Sequence, residues 1–324
     1  MQILQIIDSL ELNGGSTMFL ELVSAMNKYL IDCEILPFVV SKTGQIGRTH
    51  LSDIDLANSY GISNLQVMDY LSFDKMSSAF NDAVIFHHVL GHTKNIIFNN
   101  SCRYYLVNHT ATNIHRLAKF KCNGIISVCK YFANLLKNKT RLNSKIILNG
   151  CEYYYNNQEK NTDKFIIGCC QRVVPSKFKT NGKNFPSNIV RHVIGPCSSS
   201  VKSNQCVFFG PIFEKNKKIE HIRLFDLYLH DTSIPEGASM ALLESLSNGV
   251  PVLASSVGGG TAELIIPGVN GYLYRNEKEL YNLICRLSEN KDEYKQLKQS
   301  TLDDFQNRLH IKHSIEKYKK IIYE

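Results

Sequence analysis

The chain begins "MQILQII", passes through the polar, glycine-bearing "DSLELNGGST" into "MFLELVSAMNKYL", and then reaches "CEILPFVV". No other feature narrows the fold as much. The first run is short, apolar and rich in isoleucine, which suits a buried strand. In the third segment Met18, Leu22, Val23, Met26 and Leu30 recur at helical spacing, so it forms an amphipathic helix, with Ser16 or Thr17 placed to cap it. The fourth segment is again a strand. Strand, glycine loop, helix, strand is a βαβ unit, and it commits the chain to a parallel sheet with helices on its faces.

The pattern continues through "AVIFHH", "RYYLVNH", "GIISV" and "KIILNG", with helical stretches such as "KYFANLLKN" between them. It breaks at 151–164, "CEYYYNNQEKNTDK", which is polar, aperiodic and rich in asparagine. A second set of strands follows: "KFIIGCC", "RHVIG", "CVFFG", "DLYLH" and "VPVLAS". A helix at about 238–248 precedes the last of them. The tail, 277–324, reads as helical throughout. At 324 residues the chain is long for one core and comfortable for two. The expectation is an α/β protein with two doubly wound domains, 1–152 and 153–305, facing a cleft, and a terminal helix over 306–324. In such sheets ligands sit at the carboxyl ends of the strands.

Composition removes several classes. Hydrophobic residues make up 44% and charged residues 20%, an ordinary globular balance. No apolar run approaches the ~20 residues of a membrane span. The first residues lack a positive n-region and a small-residue cleavage site, so no signal peptide is expected. The ten cysteines fall at no zinc spacing, and reduced thiols in a cytoplasm are the simplest expectation. The net charge of +8 is uneven: between Asp82 and Glu152 there is no acidic residue, while Lys94, Arg103, Arg116, Lys119, Lys121, Lys130, Lys137, Lys139, Arg141 and Lys145 lie there. That span is either a solvated face or a face for an anionic partner. No finger, helix-turn-helix or RNP-like pattern supports nucleic acid as that partner.

Three loops carry candidate chemistry. Gly14 and Gly15 sit between the first strand and first helix, where backbone can approach a phosphate at a helix N-terminus, although a plain turn needs the same residues. They form neither GxGxxG nor a Walker A motif. "GCCQRVVPSK" places Arg172 and Lys177 at the carboxyl end of the second domain's first strand. Two cations there suit a diphosphate, the arginine as a fork and the lysine as a point charge. The third is "IPEGASMALLESLSNGVPVLASSVGGGTAELI". Glu236 precedes a helix and Glu244 lies within it, about 12 Å apart along the axis. That exceeds the ~5–9.5 Å of a glycoside-hydrolase carboxylate pair. Two carboxylates so spaced can grip two ends of one extended ligand. Gly258 to Gly260 and Thr261 then make a second phosphate-ready helix start.

This ordered set resembles the retaining glycosyltransferases of family 4. Glu236 to Tyr274 is similar to that family's E-x7-E motif, its Gly-x-Pro-Val strand, its Gly-Gly-x-x-Glu loop and its Asn-Gly turn, in the same order. "LNGG", "LVNHTAT", "ILNGCE" and "QRVVPSK" resemble further family segments along the chain. The resemblance implies the GT-B fold, two Rossmann-like domains facing an inter-domain cleft, with the terminal helix packing back on the first domain.

It also implies a hexosyltransferase-like activity: a sugar moves from a nucleotide diphosphate sugar to an acceptor hydroxyl, with retention at the anomeric carbon. Arg172, Lys177, Glu236 and His109 would form the reacting site. Gly14, Gly15, Gly237, Ala238, Ser239 and Glu244 would bind the donor, Glu244 through its ribose. No DxD-like pair is placed to hold a metal, so no cofactor is expected beyond the donor itself. The basic first domain suits a glycan or lipid-linked anionic acceptor and a peripheral position on an anionic membrane surface. His87 and His88 end the "AVIFHH" strand and either line the acceptor side or pack structurally.

The chain departs from the pattern at Phe178, where glycine is usual, at Gly237-Ala238, where phenylalanine-glycine would follow the glutamate, and at Ser16-Thr17, where an acidic residue is common. Two other functions share the architecture: a sugar epimerase, and a non-catalytic nucleotide-sugar-binding subunit.

Overall fold

Gln2–Ile7 (β1) lies inside a seven-stranded sheet, and its isoleucine-rich sequence leaves only the first residue partly exposed. The computed structural model describes the chain apart from residues 11–13, 42–52, 78, 81, 88–100, 111–113, 118–121, 157–161, 175–184, 198–205 and 324. After β1 come α1 (Gly14–Tyr29), β2 (Glu34–Ser41), α2 (Asp53–Asn58), β3 (Gln66–Asp69), α3 (Tyr70–Ser77), β4 (Ala83–Phe86) and β5 (Arg103–Asn108). α4 (Ile114–Leu117), β6 (Gly124–Ser127), α5 (Lys130–Thr140) and β7 (Lys145–Ile146) complete the run. The sheet order is β3-β2-β1-β4-β5-β6-β7 and every pairing is parallel. The order therefore reverses between β1 and β4, and the loops leaving those two strands flank the position where such sheets bind ligands.

A second unit holds β8 (Phe165–Cys170), β9 (Ile189–Ile194), β10 (Cys206–Gly210), α6 (Lys215–Arg223), β11 (Leu227–His230) and α7 (Met240–Ser247). It continues with β12 (Val252–Ser255), α8 (Gly260–Leu264), β13 (Gly271–Tyr274), α9 (Glu277–Glu289) and α10 (Lys291–Asp304). Its six strands are again all parallel, in the order β10-β9-β8-β11-β12-β13, with the reversal between β8 and β11. The fold is α/β throughout, two Rossmann-like parallel sheets, each with its own core.

In the first unit Phe38 meets Phe73 and Phe80 edge-on at centroid distances of 5.6 and 6.1 Å, inside a cluster that includes Phe86 and Leu106. Each such ring contributes about 1.5–3 kcal/mol by its burial. In the second, Leu227, Leu229 and Leu253 of adjacent strands pack with Leu280, Ile284 and Leu287 of α9.

The chain divides at Gly150 and again at His310: Met1–Gly150 and Ile311–Glu324 form one unit, Cys151–His310 the other. The last helix, α11 (Ile311–Tyr323), packs with α1. It is fastened by Tyr105 Oη donating to the Ile321 carbonyl at 2.8 Å and Ser314 Oγ donating to the Leu148 carbonyl at 2.7 Å.

Three local expectations are corrected. α1 starts at Gly14, three or four residues earlier than a Ser16 or Thr17 cap would place it, and Ser16 is buried inside the first turn. The tail is not one continuous helix. Asn290 ends α9 and caps α10, its side chain accepting from the Glu293 amide at 3.1 Å. A π turn over Phe305–Leu309 and extended backbone at His310 then interrupt it. Finally, β3 and β13 are strands beyond those expected.

Candidate functional site

In the second unit β8, β11 and β12 are neighbours and parallel, so the loops after them leave the same edge of the sheet. The β8 loop carries Arg172, two residues past the strand end and exposed. Lys177, its expected partner, lies outside the described residues. The β11 loop carries Glu236, Gly237 and Ala238, and the β12 loop carries the glycines before α8.

The last two loops are fastened backbone to backbone. Glu236 and Gly259 form a parallel bridge, and the Gly260 amide donates to the Glu236 carbonyl at 2.7 Å. Thr261 Oγ1 donates to the Gly237 carbonyl at 2.8 Å. A Cβ at Gly259 would stand 2.3 Å from the Glu236 carbonyl oxygen, so this approach requires glycine. The sequence places glycine there at a φ of +85° that other residues rarely adopt. The result is a rigid seat for the Glu236 side chain.

Glu236 is itself held by a residue that the sequence motifs did not flag. His230, the last residue of β11, is buried, and its Nε2 lies 3.0 Å from Glu236 Oε2. The two are close enough for an ion pair when the ring is protonated, though not aligned as a hydrogen bond. Tyr228 stacks on the ring at 6.4 Å. The next residue, Asp231, accepts a hydrogen bond from Tyr274 Oη at 2.9 Å. Burial, and then the Asp231 carboxylate, drives the Tyr274 hydroxyl far above its ordinary range. These contacts tie the end of β11 to Glu236 on one side and to Tyr274 of β13 on the other.

Glu244 lies on α7, whose N-cap is Ser239. Its side chain is 1% exposed and is paired with Lys218 of α6 at 2.5 Å. Lys218 is the second partner of a candidate carboxylate that the sequence concealed, since "KNKK" gives no sign of which lysine turns inward. The Cys170 thiol at the end of β8 is pushed well up, first by burial and then by the Glu244 charge, with Lys218 opposing. The pair therefore sits beside the end of β8. Glu236 and Glu244 each have a basic neighbour, His230 and Lys218 respectively.

In the first unit Gly14 and Gly15 form the opening turn of α1, so their amides belong to the helix terminus rather than to a preceding loop. Among the described residues nothing lies within 4 Å of where a Gly14 Cβ would be. His109 follows β5 and is half-buried. Its Nε2 faces Nδ1 of buried His87 at 3.4 Å, with ring planes 23° apart. His87 Nε2 lies 2.5 Å from Gln5 Oε1, and Gln5 Nε2 donates to Met26 Sδ at 3.1 Å. A thioether cannot donate, so the Gln5 amide nitrogen faces it and Oε1 is left to accept from His87. In neutral rings this chain makes His87 Nδ1 the acceptor and His109 Nε2 the donor. His88 and His92 lie outside the described residues, and His115 is exposed on α4.

Of the basic span, Lys130, Lys137, Lys139 and Arg141 are exposed along α5 and just beyond it, and Lys145 is exposed on the edge strand β7. Lys137 and Lys139 occupy the last turn of α5, where the helix dipole favours cations. Arg103 is half-buried. Lys94, Lys119, Lys121 and the Arg116 side chain lie outside the described residues. Among the described residues no group of three or more His, Cys, Asp or Glu side chains could hold a metal ion, and no helix is long and apolar enough to cross a membrane.

Glu236, Glu244 and Gly259 all fall in one matched segment. Residues 199–303 match the glycosyl transferases group 1 family. That glycosyl transferase match covers most of the second unit. The uncharacterized glycosyltransferase MJ1069 of Methanocaldococcus jannaschii is 28% identical over 120 residues, 36% of this chain and 30% of its own length. Protein CapJ of Staphylococcus aureus is 40% identical over 58 residues, 18% of this chain and 15% of its own. Both likenesses are thus confined to a minor part of those proteins. Over the full chain the fold is similar to that of Anabaena HepE in complex with UDP-glucose, with a TM-score of 0.77, 16% identity, and coverage of 100% of this chain and 99% of that one. At that identity the likeness is one of fold, and the fold is GT-B.

Proposed function

We propose that the chain is a glycosyltransferase that moves a sugar from a nucleotide diphosphate sugar to an acceptor hydroxyl with retention at the anomeric carbon. The carrying observation is the Glu236–Gly259 backbone lock together with buried Glu244, both within the segment that matches group 1 glycosyl transferases. It supports two fixed carboxylate grips on one edge of a sheet. Anabaena HepE, similar in fold, is described in complex with UDP-glucose, which supports a nucleotide sugar as the donor class.

In this reading departure of the nucleotide diphosphate breaks the bond from the anomeric carbon to the phosphate oxygen, and negative charge grows on the leaving group. Arg172 and Lys177 stabilise that charge as it develops. Glu236 orients the donor sugar through its hydroxyls, with the Gly237 and Ala238 amides beside it. Glu244 accepts from the ribose. His109 touches the sugar near the reacting carbon. The leaving phosphate takes the acceptor proton, so no protein nucleophile is needed. No metal ion is required on this route, and turnover should survive a chelator.

The exposed basic residues of α5 and β7 support an anionic acceptor, such as a lipid-linked glycan, and attachment to an anionic membrane surface by charge. Co-sedimentation with anionic-lipid vesicles at low salt checks that part, and failure to sediment removes it. A panel of nucleotide sugars, scored for release of nucleoside diphosphate with and without acceptor, checks the activity. Donor binding without release in any combination would point instead to a binding subunit. Arg172→Ala and Glu244→Ala should each weaken donor binding by calorimetry; unchanged affinity in both would remove the assigned site.

A further inference from the structure

A carboxylate as buried as that of Glu244 stays ionised only with a close partner. Lys218 is such a partner: its Nζ lies 2.5 Å from Glu244 Oε1 while its side chain is only 16% exposed. The neighbouring Lys217 behaves differently. It pairs with Glu214 at 2.8 Å with both side chains more than half exposed, a solvent-screened contact of little consequence. Lys218 and Glu244 also lie near the end of β8, since their charges act in opposite directions on the Cys170 thiol there. The pair thus stands at the side of the sheet where β8 and β11 diverge, between α6 and α7.

We infer that Lys218 is a positioning residue for nucleoside recognition: by holding Glu244 charged and fixing Oε1, it sets the plane in which the carboxylate meets the ribose, and so makes the site require a ribonucleotide. The inference rests on the ribose role given to Glu244 above. A carboxylate fixed from one side can meet a hydroxyl only in one geometry, and a donor that lacks the hydroxyl leaves a buried charge incompletely satisfied. A carboxylate without its ammonium can turn, take up a proton, and accept either sugar.

The experiment is calorimetric titration of the full chain with UDP and with 2′-deoxy-UDP, the measured quantity being the ratio of the two affinities. The wild-type protein should prefer UDP by about 10- to 100-fold, the loss of one hydrogen bond to a charged group. Lys218→Met and Glu244→Gln should each bring the ratio close to one, and Lys218→Arg should keep it above about 10-fold. A purely structural lysine would lower both affinities together and leave the ratio alone.

If Glu244→Gln loses the preference while Lys218→Met keeps it, the role of Lys218 is refuted and the ribose contact stands. If the preference is absent from the wild type, or survives in Glu244→Gln, the ribose contact itself is wrong and the inference falls with it. Should Lys218→Met fail to fold, as judged by circular dichroism, Lys218→Gln is scored against the same ratio.

Discussion

Gly259 is where two loops of the second unit come closest, and its substitution separates backbone strain from backbone collision. Its φ of +85° and ψ of −171° fall in a region confined to glycine. A Cβ there would lie 2.3 Å from the Glu236 carbonyl oxygen and 2.7 Å from the Glu236 nitrogen. Both are backbone atoms, so no rotamer relieves the clash. Gly258 is the control: its φ is also positive, at +94°, but among the described residues nothing lies within 4 Å of its Cβ position. Gly258→Ala should cost about 1–2 kcal/mol, the conformational penalty alone.

Gly259→Ala must in addition push back residue 236 and strain or lose the 2.7 Å bond from Gly260 to its carbonyl, for a total of about 2–4 kcal/mol. Since the moved backbone carries the Glu236 side chain, affinity for a nucleotide sugar should fall much further in Gly259→Ala than in Gly258→Ala. Urea unfolding followed by circular dichroism measures the first quantity and calorimetry the second. Equal stability and equal affinity in the two variants would refute the argument that this contact seats Glu236.

Gly14→Ala should be neutral or stabilising by up to about 1 kcal/mol, since it adds a helix former at an open position; a clear fall in melting temperature would contradict a helix start there. Asn270 is fully buried, with Nδ2 donating to the Leu264 carbonyl at 2.9 Å and to Asp304 Oδ2 at 2.8 Å. Asn270→Asp turns those contacts into acceptor against acceptor and should cost roughly 3 kcal/mol in urea unfolding, a loss below about 0.5 kcal/mol refuting it. Burial holds the Cys169 thiol up at about 12 and the Cys102 thiol at about 11, whereas Cys197 is exposed. A thiol-specific reagent should therefore label Cys197 well before Cys169 or Cys102. Because the folded pKa values are raised, these thiols contribute stability in full below the ordinary thiol value of about 9. That contribution is lost as pH rises through 11 to 12, so alkaline melts should show a falling midpoint there.

The strands were legible wherever apolar residues run together. "MQILQII", "AVIFHH" and "DLYLH" are central strands buried on both faces, and hydrophobic burial alone marks them. β3 was not legible, because "QVMD" lies at the sheet edge and is only partly buried, so its composition resembles a loop. β13 was hidden behind the Asn-Gly turn that precedes it. There Gly271, with a φ of +155° and its Cβ position 1.9 Å from the Val252 carbonyl oxygen, belongs to turn and strand at once.

In the candidate site, Glu236 and Glu244 were legible because their spacing, flanking glycines and following strand form one local pattern. Their partners were not. Lys218 is 26 residues from Glu244 and sits in a run of similar residues, where only the packing of α6 on α7 decides which ammonium is buried. His230 ends a strand much as His87 does, yet nothing in the sequence shows that the first meets a carboxylate and the second a glutamine. Local pattern thus marks candidate groups, while the side chains paired with them come from other elements. For that reason the two pairs, Lys218 with Glu244 and His230 with Glu236, are where this chain can differ from proteins that share its loops and, under the proposed function, where single substitutions should alter donor choice.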